Sequence, residues 1–597
     1  MKVAERVAAL RKCMAEKQMD AYMVPAADNH QSENVGEHFK ARTYISGFTG
    51  SAGTVVITKD DAGLWTDGRY FIQAETQLAG SGVRLFKIGE PGVPTPEEYL
   101  TEVLPEGAKL GFDGRVIAVG EGQDLELVIR GKNGSIDYSC DLINDIWTDR
   151  PELSDKPAFL LEEKYAGESS VSKVARVREK MQELGATIHV ISSLDDVAWL
   201  LNIRGDDVAY APLVLSYAIV TMNDVHVFMD ERKLNDVILA EFKKINVVLH
   251  PYDDIYEYVK GFQARDTILI DPRKLNYALY NNISQEVTTI EAPNPTILFK
   301  AIKNDVEIEN FKKSHIKDGI AFTKFMYWLK TNVGKIDITE ISASDKLEEF
   351  RAEQEGFLWP SFAPISAYKE HAAMMHYSAT KDTDVPLLAE HLYLTDTGGN
   401  YYEGTTDITR TMVLGEISDQ LKLHFTAVVR GMMNLSMAKF LQGAIGYNLD
   451  ILARKPMWDL GLDFKCGTGH GVGYLLNIHE APTGFRWLTN PLRDENHPFE
   501  AGMIITNEPG IYIEGSHGIR IENEMITRMD EKTEFGQFMS FEPCTFVPID
   551  LDGIEPTLLN QEEKNYLNNY HKMVFQTIAP HLTEEEREWL KVYTREV

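Results

Sequence analysis

The chain reads as a multidomain α/β protein, with two related α/β domains over about 1–158 and 159–303 and a larger α+β domain over about 304–597. Three observations carry that expectation. First, "VAALRKCM" at 7–14 resembles "VARVREKM" at 174–181, and each is followed by a β-rich stretch, "DAYMVP" or "TIHVIS". Second, "YISGFTGSAGTVVIT" at 44–58 is echoed by "WLLNIRGDDVAYAPLVLSYAIV" at 199–220, so helix and strand signals alternate twice in the same order. Third, the pattern changes at Val306, where the long amphipathic run "VEIENFKKSHIKDGIAFTKFMYWLKTNV" begins. The polar stretch "TDRPELSDKP" supplies a linker between the first two domains, and "EAPNPTILFKAIKND" supplies the second.

The bulk numbers agree. At ~150 residues per domain, 597 residues suggest three or four domains. A hydrophobic fraction of 44% is enough for large packed cores and argues against disorder. The net charge of −31 argues against nucleic-acid binding, which needs clustered Lys and Arg on phosphates. An acidic surface favours cationic ligands such as peptide amino termini, or it serves solubility alone. The four cysteines, Cys13, Cys140, Cys466 and Cys544, form no CxxC pair, which suits a reducing compartment. The start "MKVAERVAALRKCM" reads as an amphipathic helix interrupted by charge and not as a signal peptide. No apolar run approaches the ~18 residues of a membrane span. The expected location is the cytoplasm, with no membrane partner.

The chemistry lies in the last 290 residues or so. "LTDTGGNYYEGTTDITRTM" at 394–412 has the shape of a β-hairpin around a Gly-Gly-Asn signal. With the turn centred near Tyr401 and Tyr402, Asp396 and Asp407 stand opposite each other, and two facing carboxylates repel unless a cation separates them. "CGTGHGVG" sets His470 among four glycines, which permit close backbone approach. "MIITNEPGIYI" puts Glu508 at the end of an apolar strand. "GIRIENEMIT" alternates, so that Arg520, Glu522 and Glu524 share one strand face. Singly, these have ordinary readings: a plain turn, a strand-end cap, the wet face of a sheet. Together they supply two Asp, two Glu and one His with no thiolate, a donor set for two intermediate or hard divalent cations and not for a structural zinc. Two such ions ~3.5–4 Å apart relieve the carboxylate repulsion and generate a nucleophile from water near neutral pH.

The ordered set "TDTG…TTDITRT", "GTGHGVG", "NEPGIY" and "GIRIEN" resembles the pita-bread-fold metallopeptidases, and within them the three-domain aminopeptidase P (Xaa-Pro aminopeptidase) family. "YISGFTGSAGT", "LWTDGRYF", "WLLNIRG", "MMHY", "NIHE" and "LNNYH" extend the likeness essentially from end to end. It implies two creatinase-like α/β domains before a pita-bread catalytic domain, and a metal-dependent release of the first residue from peptides with proline second. Carried onto this sequence, the resemblance implies that Asp396 would hold one ion, that Asp407 and Glu522 would bridge both, and that His470 and Glu508 would complete the coordination shell of the second ion. A hydroxide bridging the metals attacks the scissile carbonyl, and Glu508 relays the proton to the leaving nitrogen. His376 and His479 hydrogen-bond substrate and the tetrahedral intermediate, while Arg520 orients the ligand carboxylates. The resemblance favours Mn(II), with Co(II) or Zn(II) also suited to the ligands. It implies a homodimer acting on short peptides with a free N-terminus.

One departure stands out. Relatives often read "HGTGHG", whereas here the first position is Cys466, either a small inert thiol or a soft ligand candidate. The competing readings are prolidase, acting on Xaa-Pro dipeptides alone, and a non-catalytic peptide-binding module that has lost its metal. The duplicated amino-terminal half argues against the first, and the five retained ligands argue against the second.

Overall fold

The structure is a computed structural model and describes residues 1–488 and 495–597. It divides into two compact units, one of 1–162 with 168–297 and the other of 163–167 with 298–597.

The first unit contains two six-stranded sheets. In the first sheet the strands are β1 (Ala21–Pro25), β2 (Thr54–Thr58), β3 (Ala62–Thr66), β4 (Arg84–Lys87), β5 (Lys109–Phe112) and β6 (Ser135–Asp137), in the order β4-β3-β2-β1-β5-β6. In the second they are β7 (Ile188–Ile191), β8 (Ser216–Thr221), β9 (Val225–Met229), β10 (Val247–His250), β11 (Thr267–Ile270) and β12 (Thr288–Glu291), in the order β10-β9-β8-β7-β11-β12. The second order is the first with every label raised by the same step, and the parallel and antiparallel pairings match strand for strand. The weak repeat in sequence is therefore a full repeat in topology. Strands β1 and β7 are buried along their whole length, as expected of central strands covered by helices on both faces. The helices Val3–Glu16 and Ser170–Leu184 precede them and carry the repeated "VAALRKCM" and "VARVREKM" runs.

The second unit opens with helix α1 (Asp305–Asn332), whose start is fixed by a capping box between Asn304 and Glu307. Helix α2 (Glu340–Ala352) packs on it. The two are clasped by Arg351, which donates from Nε to Asp318 Oδ1 at 2.6 Å with both side chains buried. The same guanidinium reaches the Thr397 carbonyl at 3.2 Å, and Thr406 donates its hydroxyl to Asp318. This buried pair thus grips both sides of the hairpin that carries Asp396 and Asp407. A three-stranded sheet follows, from β13 (Ile365–Tyr368), β14 (Leu392–Thr397) and β15 (Ile408–Val413), with β14 in the middle. Helices α3 (Asp419–Ser436) and α4 (Gly446–Trp458) pack together beside a six-stranded sheet. Its strands are β16 (Lys439–Leu441), β17 (Gly469–Val472), β18 (His479–Phe485), β19 (Ile504–Asn507), β22 (Asn523–Thr533) and β23 (Gly536–Pro543), ordered β16-β23-β22-β19-β17-β18. Between β19 and β22 lies the separate hairpin β20 (Gly510–Ile513) and β21 (His517–Arg520).

Two expectations need correction. Asp396 does not face Asp407: the register pairs Asp396 with Thr409 and Thr397 with Ile408. The strands Gly399–Tyr401 and Gly404–Thr405 continue the same hairpin, so its turn falls between Tyr402 and Glu403, and each partner moves by two. Because side chains alternate with period two, the slip leaves Asp407 on the face of Thr409 and hence diagonal to Asp396. Nor do Arg520, Glu522 and Glu524 lie on one strand. The chain leaves β21 at Arg520 and enters β22 at Asn523, because Glu522 N–H is captured by the Thr409 carbonyl of β15 at 3.1 Å. The wet-face reading of this run is excluded, since Glu522 and Glu524 are buried.

Replacing Arg351 by Met leaves Asp318 as an uncompensated buried charge. A loss of about 3–5 kcal/mol is expected in denaturant unfolding of the full chain, with the midpoint lowered; an unchanged midpoint refutes the clasp.

Candidate metal centre

Three segments converge where β15, β17 and the β21–β22 crossing meet. Asp407, His470 and Glu522 are all buried and each offers one ligand atom, these atoms lying within 4.8 Å of one another. They form a group able to hold a metal ion, and it is the one group of three or more such residues among the described residues. His470 Nε2 stands 3.4 Å from Asp407 Oδ2 and 3.6 Å from Glu508 Oε1. Ligand atoms ~2.0–2.2 Å from a shared cation come about 3–3.5 Å from each other, so these separations suit one ion.

The backbone explains why these side chains converge. His470 sits on β17, and Gly469 beside it lets the strand close on β19: a Cβ there would lie 2.0 Å from the Thr506 carbonyl. The glycines of "GTGHGVG" serve approach between strands and not an unusual turn. His470 Nδ1 lies 2.9 Å from the Gly471 carbonyl, which can only accept, so Nδ1 carries the proton and Nε2 presents its lone pair to the carboxylates. Glu508 follows β19 directly, with its N–H donated to the Thr468 carbonyl at 2.8 Å. Its side chain is 21% exposed, the most open of the set for which contacts with His470 are seen. Thr506 donates its hydroxyl to Glu508 Oε1 at 3.3 Å and accepts from His470 N–H at 3.0 Å, linking the two.

Asp396, at the end of β14, is held by Arg520 Nη2 at 2.5 Å. Arg520 also donates from Nε to the Thr409 hydroxyl at 3.2 Å and from Nη1 to the Tyr512 hydroxyl at 2.6 Å. Thr409 in turn donates to Glu522 Oε2 at 2.6 Å. Arg520, predicted to orient the carboxylates, thus holds Asp396 directly and Glu522 through Thr409. His479 packs its ring edge-on against His470, with centroids 4.2 Å apart, and is exposed. His376 is half-buried beside Met375, whose carbonyl accepts from Arg520 Nη2 at 3.3 Å.

Several participants escaped the sequence reading. Glu524 takes the Asp407 N–H at 2.6 Å and lies 3.3 Å from His315 Nε2 of α1. Thr409, Thr506 and Tyr512 complete the supports. The signal for Thr409 and Thr506 was the alternation in "TTDITRT" and "MIITNEPGIYI", where a polar residue two positions from a ligand shares its face; Tyr512, four positions from Glu508 and beyond a Pro-Gly turn, had none. Arg410, on the opposite face, donates to the Asn523 side chain, the Val547 and Pro548 carbonyls and the Tyr570 hydroxyl, which ties "LNNYH" to the centre from behind.

The electrostatics test whether cations fit. Burial raises the Asp407 carboxyl well above the usual range, and Asp396, Glu508 and Glu524 raise it further. Burial does the same to Glu522, reinforced by Asp407, Glu508 and Asp396. Asp396 Oδ1 and Glu522 Oε1 are buried with no hydrogen-bond partner among the described residues. Acceptor oxygens of this kind, beside a lone pair on His470, fit hard or intermediate divalent cations. Cys466 does not join them. Burial first, and then Glu508, push its thiol up to about 11, so it is neutral near pH 7 and packs as a small apolar side chain.

Residues 6–140 and 149–307 each match the Creatinase/Prolidase N-terminal domain, 309–528 match Metallopeptidase family M24, and 537–597 match the C-terminal region of peptidase_M24. Aminopeptidase P2 of Arabidopsis thaliana is 37% identical over 99% of this chain and 88% of its own length. Xaa-Pro aminopeptidase 1 of Dictyostelium discoideum is 38% identical over 99% and 96%. The chain belongs to the three-domain aminopeptidase P family of M24 metallopeptidases. The crystal structure of X-prolyl aminopeptidase from Caenorhabditis elegans, a cytosolic enzyme with a di-nuclear active site, superposes with a TM-score of 0.96 at 34% identity, covering all of both chains. The creatinase-like and pita-bread architecture expected from the motifs is therefore the architecture present.

The raised carboxyls fix the sign of a pH effect. Unfolded Asp and Glu titrate near about 3.9 and 4.3. Between those values and the raised folded ones, the metal-free folded state binds more protons than the unfolded chain, so its stability falls as pH rises. Chelator-treated protein should melt at progressively lower temperature from pH 4.5 to 7.5 relative to Asp407→Asn, as read by scanning fluorimetry. A widening gap in the opposite direction refutes the buried repulsion.

Proposed function

We propose that this chain is a dinuclear Xaa-Pro aminopeptidase that releases the first residue from short peptides whose second residue is proline. The observation that carries the proposal is the buried cluster of Asp407, His470 and Glu522, flanked by Asp396 and Glu508, in a chain that aligns end to end with Xaa-Pro aminopeptidases. Those five residues would hold two divalent cations, with Mn(II) preferred and Co(II) or Zn(II) compatible with carboxylate and imidazole donors. When bound, such a pair lowers the pKa of water towards neutrality and polarises a carbonyl.

The chain's own residues do the rest. Glu508, the partly exposed carboxylate, takes a proton at Oε1 and returns it to the leaving prolyl nitrogen. His479, exposed and packed on His470, and His376, beside the Arg520 contact, donate hydrogen bonds to the substrate carbonyl as negative charge develops there. Arg520 fixes Asp396 and offsets one negative charge without occupying the ligand atoms of His470 or Glu522. A bond to proline is a tertiary amide without N–H, so recognition rests on the carbonyl oxygen and on the free amino terminus, which an acidic protein favours. Cytoplasmic location and a homodimeric state complete the proposal.

The deciding assay compares Arg-Pro-Pro, Arg-Pro and Arg-Ala-Ala on chelator-stripped protein and again after Mn(II) is restored. Metal-dependent arginine release from Arg-Pro-Pro, with little from Arg-Ala-Ala, is expected; cleavage of Arg-Pro alone makes the chain a prolidase, and silence with metal bound refutes the peptidase reading. Asp407→Asn and Glu522→Gln should each lower turnover by at least about a thousandfold, the scale of ~4 kcal/mol of lost transition-state stabilisation. Near wild-type turnover with bound metal in either variant rules out the dinuclear assignment. Cys466→His should alter KM modestly and leave metal content, read by elemental mass spectrometry, unchanged; loss of metal makes Cys466 a ligand.

A further inference from the structure

One fully buried carboxylate of the catalytic unit has no part in the chemistry above. Glu340 is the first residue of α2 and is 0% exposed. Taking a carboxylate out of water is costly unless donors replace its hydration. Here the donors all come from one stretch, "YKEHAAMMHY" at 368–377, which leaves the end of β13 and carries His376. Tyr368 donates its N–H to Glu340 Oε1 at 2.7 Å, and Tyr377 donates its hydroxyl to Oε2 at 2.9 Å. Between them, His371 Nδ1 lies 3.0 Å from Oε1 and 3.1 Å from Oε2. A single side chain therefore binds the beginning, the middle and the end of a ten-residue strap.

Two further contacts hold the strap from the other side. Gly518 of β21 meets it backbone to backbone, since a Cβ there would lie 1.7 Å from the Ala372 carbonyl. Arg520 Nη2, the nitrogen that holds Asp396, reaches the Met375 carbonyl. Lys369 adopts a φ of 51°, a left-handed conformation that a non-glycine residue keeps only where its surroundings enforce it. Hydrogen bonding to Glu340 raises the His371 imidazole pKa, consistent with a charge-assisted contact. The residue next to His376 is thus fixed to a candidate ligand by Arg520, and its flanks are fixed to α2 by Glu340.

We propose that Glu340 is a positioning residue that acts through His376, holding the 368–377 strap so that the His376 imidazole stays registered with the metal centre. This rests on the substrate contact assigned to His376 above. Glu340 touches neither substrate nor metal, and its effect passes through the strap alone.

The test uses full-length protein with Mn(II) restored, and compares Glu340→Gln, the milder Tyr377→Phe, His376→Ala, the double variant Glu340→Gln/His376→Ala, and Asp345→Asn, an exposed carboxylate on the same helix. Backbone amide exchange in the peptide covering 368–377 should quicken on the order of tenfold or more in Glu340→Gln and less in Tyr377→Phe, while peptides covering 392–413 and 517–526 and the metal content stay as in the wild type. Turnover of Arg-Pro-Pro should fall on the order of 10- to 100-fold in Glu340→Gln, the usual cost of losing an outer support. The double variant should be no slower than His376→Ala alone, because a residue acting through another adds nothing once that other is gone. Unchanged exchange in the strap, or losses that multiply in the double variant, overturns the proposal. If His376→Ala turns over normally, the role of His376 fails and this inference with it. If metal-loaded wild type cleaves none of the peptides, the peptidase reading fails, and amide exchange still decides whether Glu340 orders the strap.

Discussion

Mutual repulsion among Asp396, Asp407, Glu508 and Glu522 is the constraint around which the catalytic unit is organised. Buried like charges of this kind cost several kcal/mol per ion if left alone, and the surrounding residues can be sorted by how they meet that cost. Arg520 takes Asp396, Thr409 gives its hydroxyl to Glu522, and Thr506 gives its hydroxyl to Glu508. None of these removes the repulsion on Asp407, whose own backbone N–H is donated to Glu524 and so brings a further carboxylate close to it. A protein could have replaced one carboxylate with an amide at no cost in shape. The protein instead gathers four carboxylates around the Nε2 of His470, a donor set suited to divalent cations.

The scaffold meets the same constraint with rigidity. The Arg351–Asp318 pair closes on both sides of the hairpin, Arg410 ties its far face to the C-terminal helix Gln561–Ile578, and β17 is pressed onto β19 by a glycine. The ligands therefore stand at or near strand ends of two different sheets, which Arg410 and the Glu522 N–H bond to the Thr409 carbonyl tie to each other. The chain passes from β21 to β22 at Ile521–Glu522, and Arg520 and Glu522, which flank that crossing, both bond the Thr409 hydroxyl.

Much of this was legible in the residues, and the failures have clear causes. The repeat of "VAALRKCM" and "VARVREKM" announced two domains of one kind, because a helix feeding a buried central strand leaves a strong local pattern. Asp407, His470 and Glu522 stood out because each is a charged or titratable group in an apolar, glycine-lined or alternating run. The register of Asp396 was missed by two, since turn position depends on which residue of "GGNYYEG" takes the bend, and that is decided by pairing with Phe357–Pro360 far away in sequence. The continuity of "GIRIENEMIT" was misread because strand alternation is a local signal, whereas the capture of Glu522 by Thr409 is a tertiary contact. Glu524 was grouped with Arg520 and Glu522 by local alternation, which could not show that it accepts the Asp407 N–H, and Glu340 carried no signal at all: a lone glutamate looks the same whether it faces water or receives three donors in the core.

The division of the chain into two units, with the whole ligand set in the second, has a thermodynamic consequence. An ion that binds only the folded form of one unit adds free energy to that unit by mass action, about 1.4 kcal/mol for each tenfold rise in free ion above its dissociation constant. The duplicated amino-terminal unit has its own cores and none of the ligands. In a calorimeter it becomes an internal reference: one heat-absorption peak climbs with the logarithm of added cation while the other stands still, and the distance between them is a direct scale of metal affinity within a single molecule.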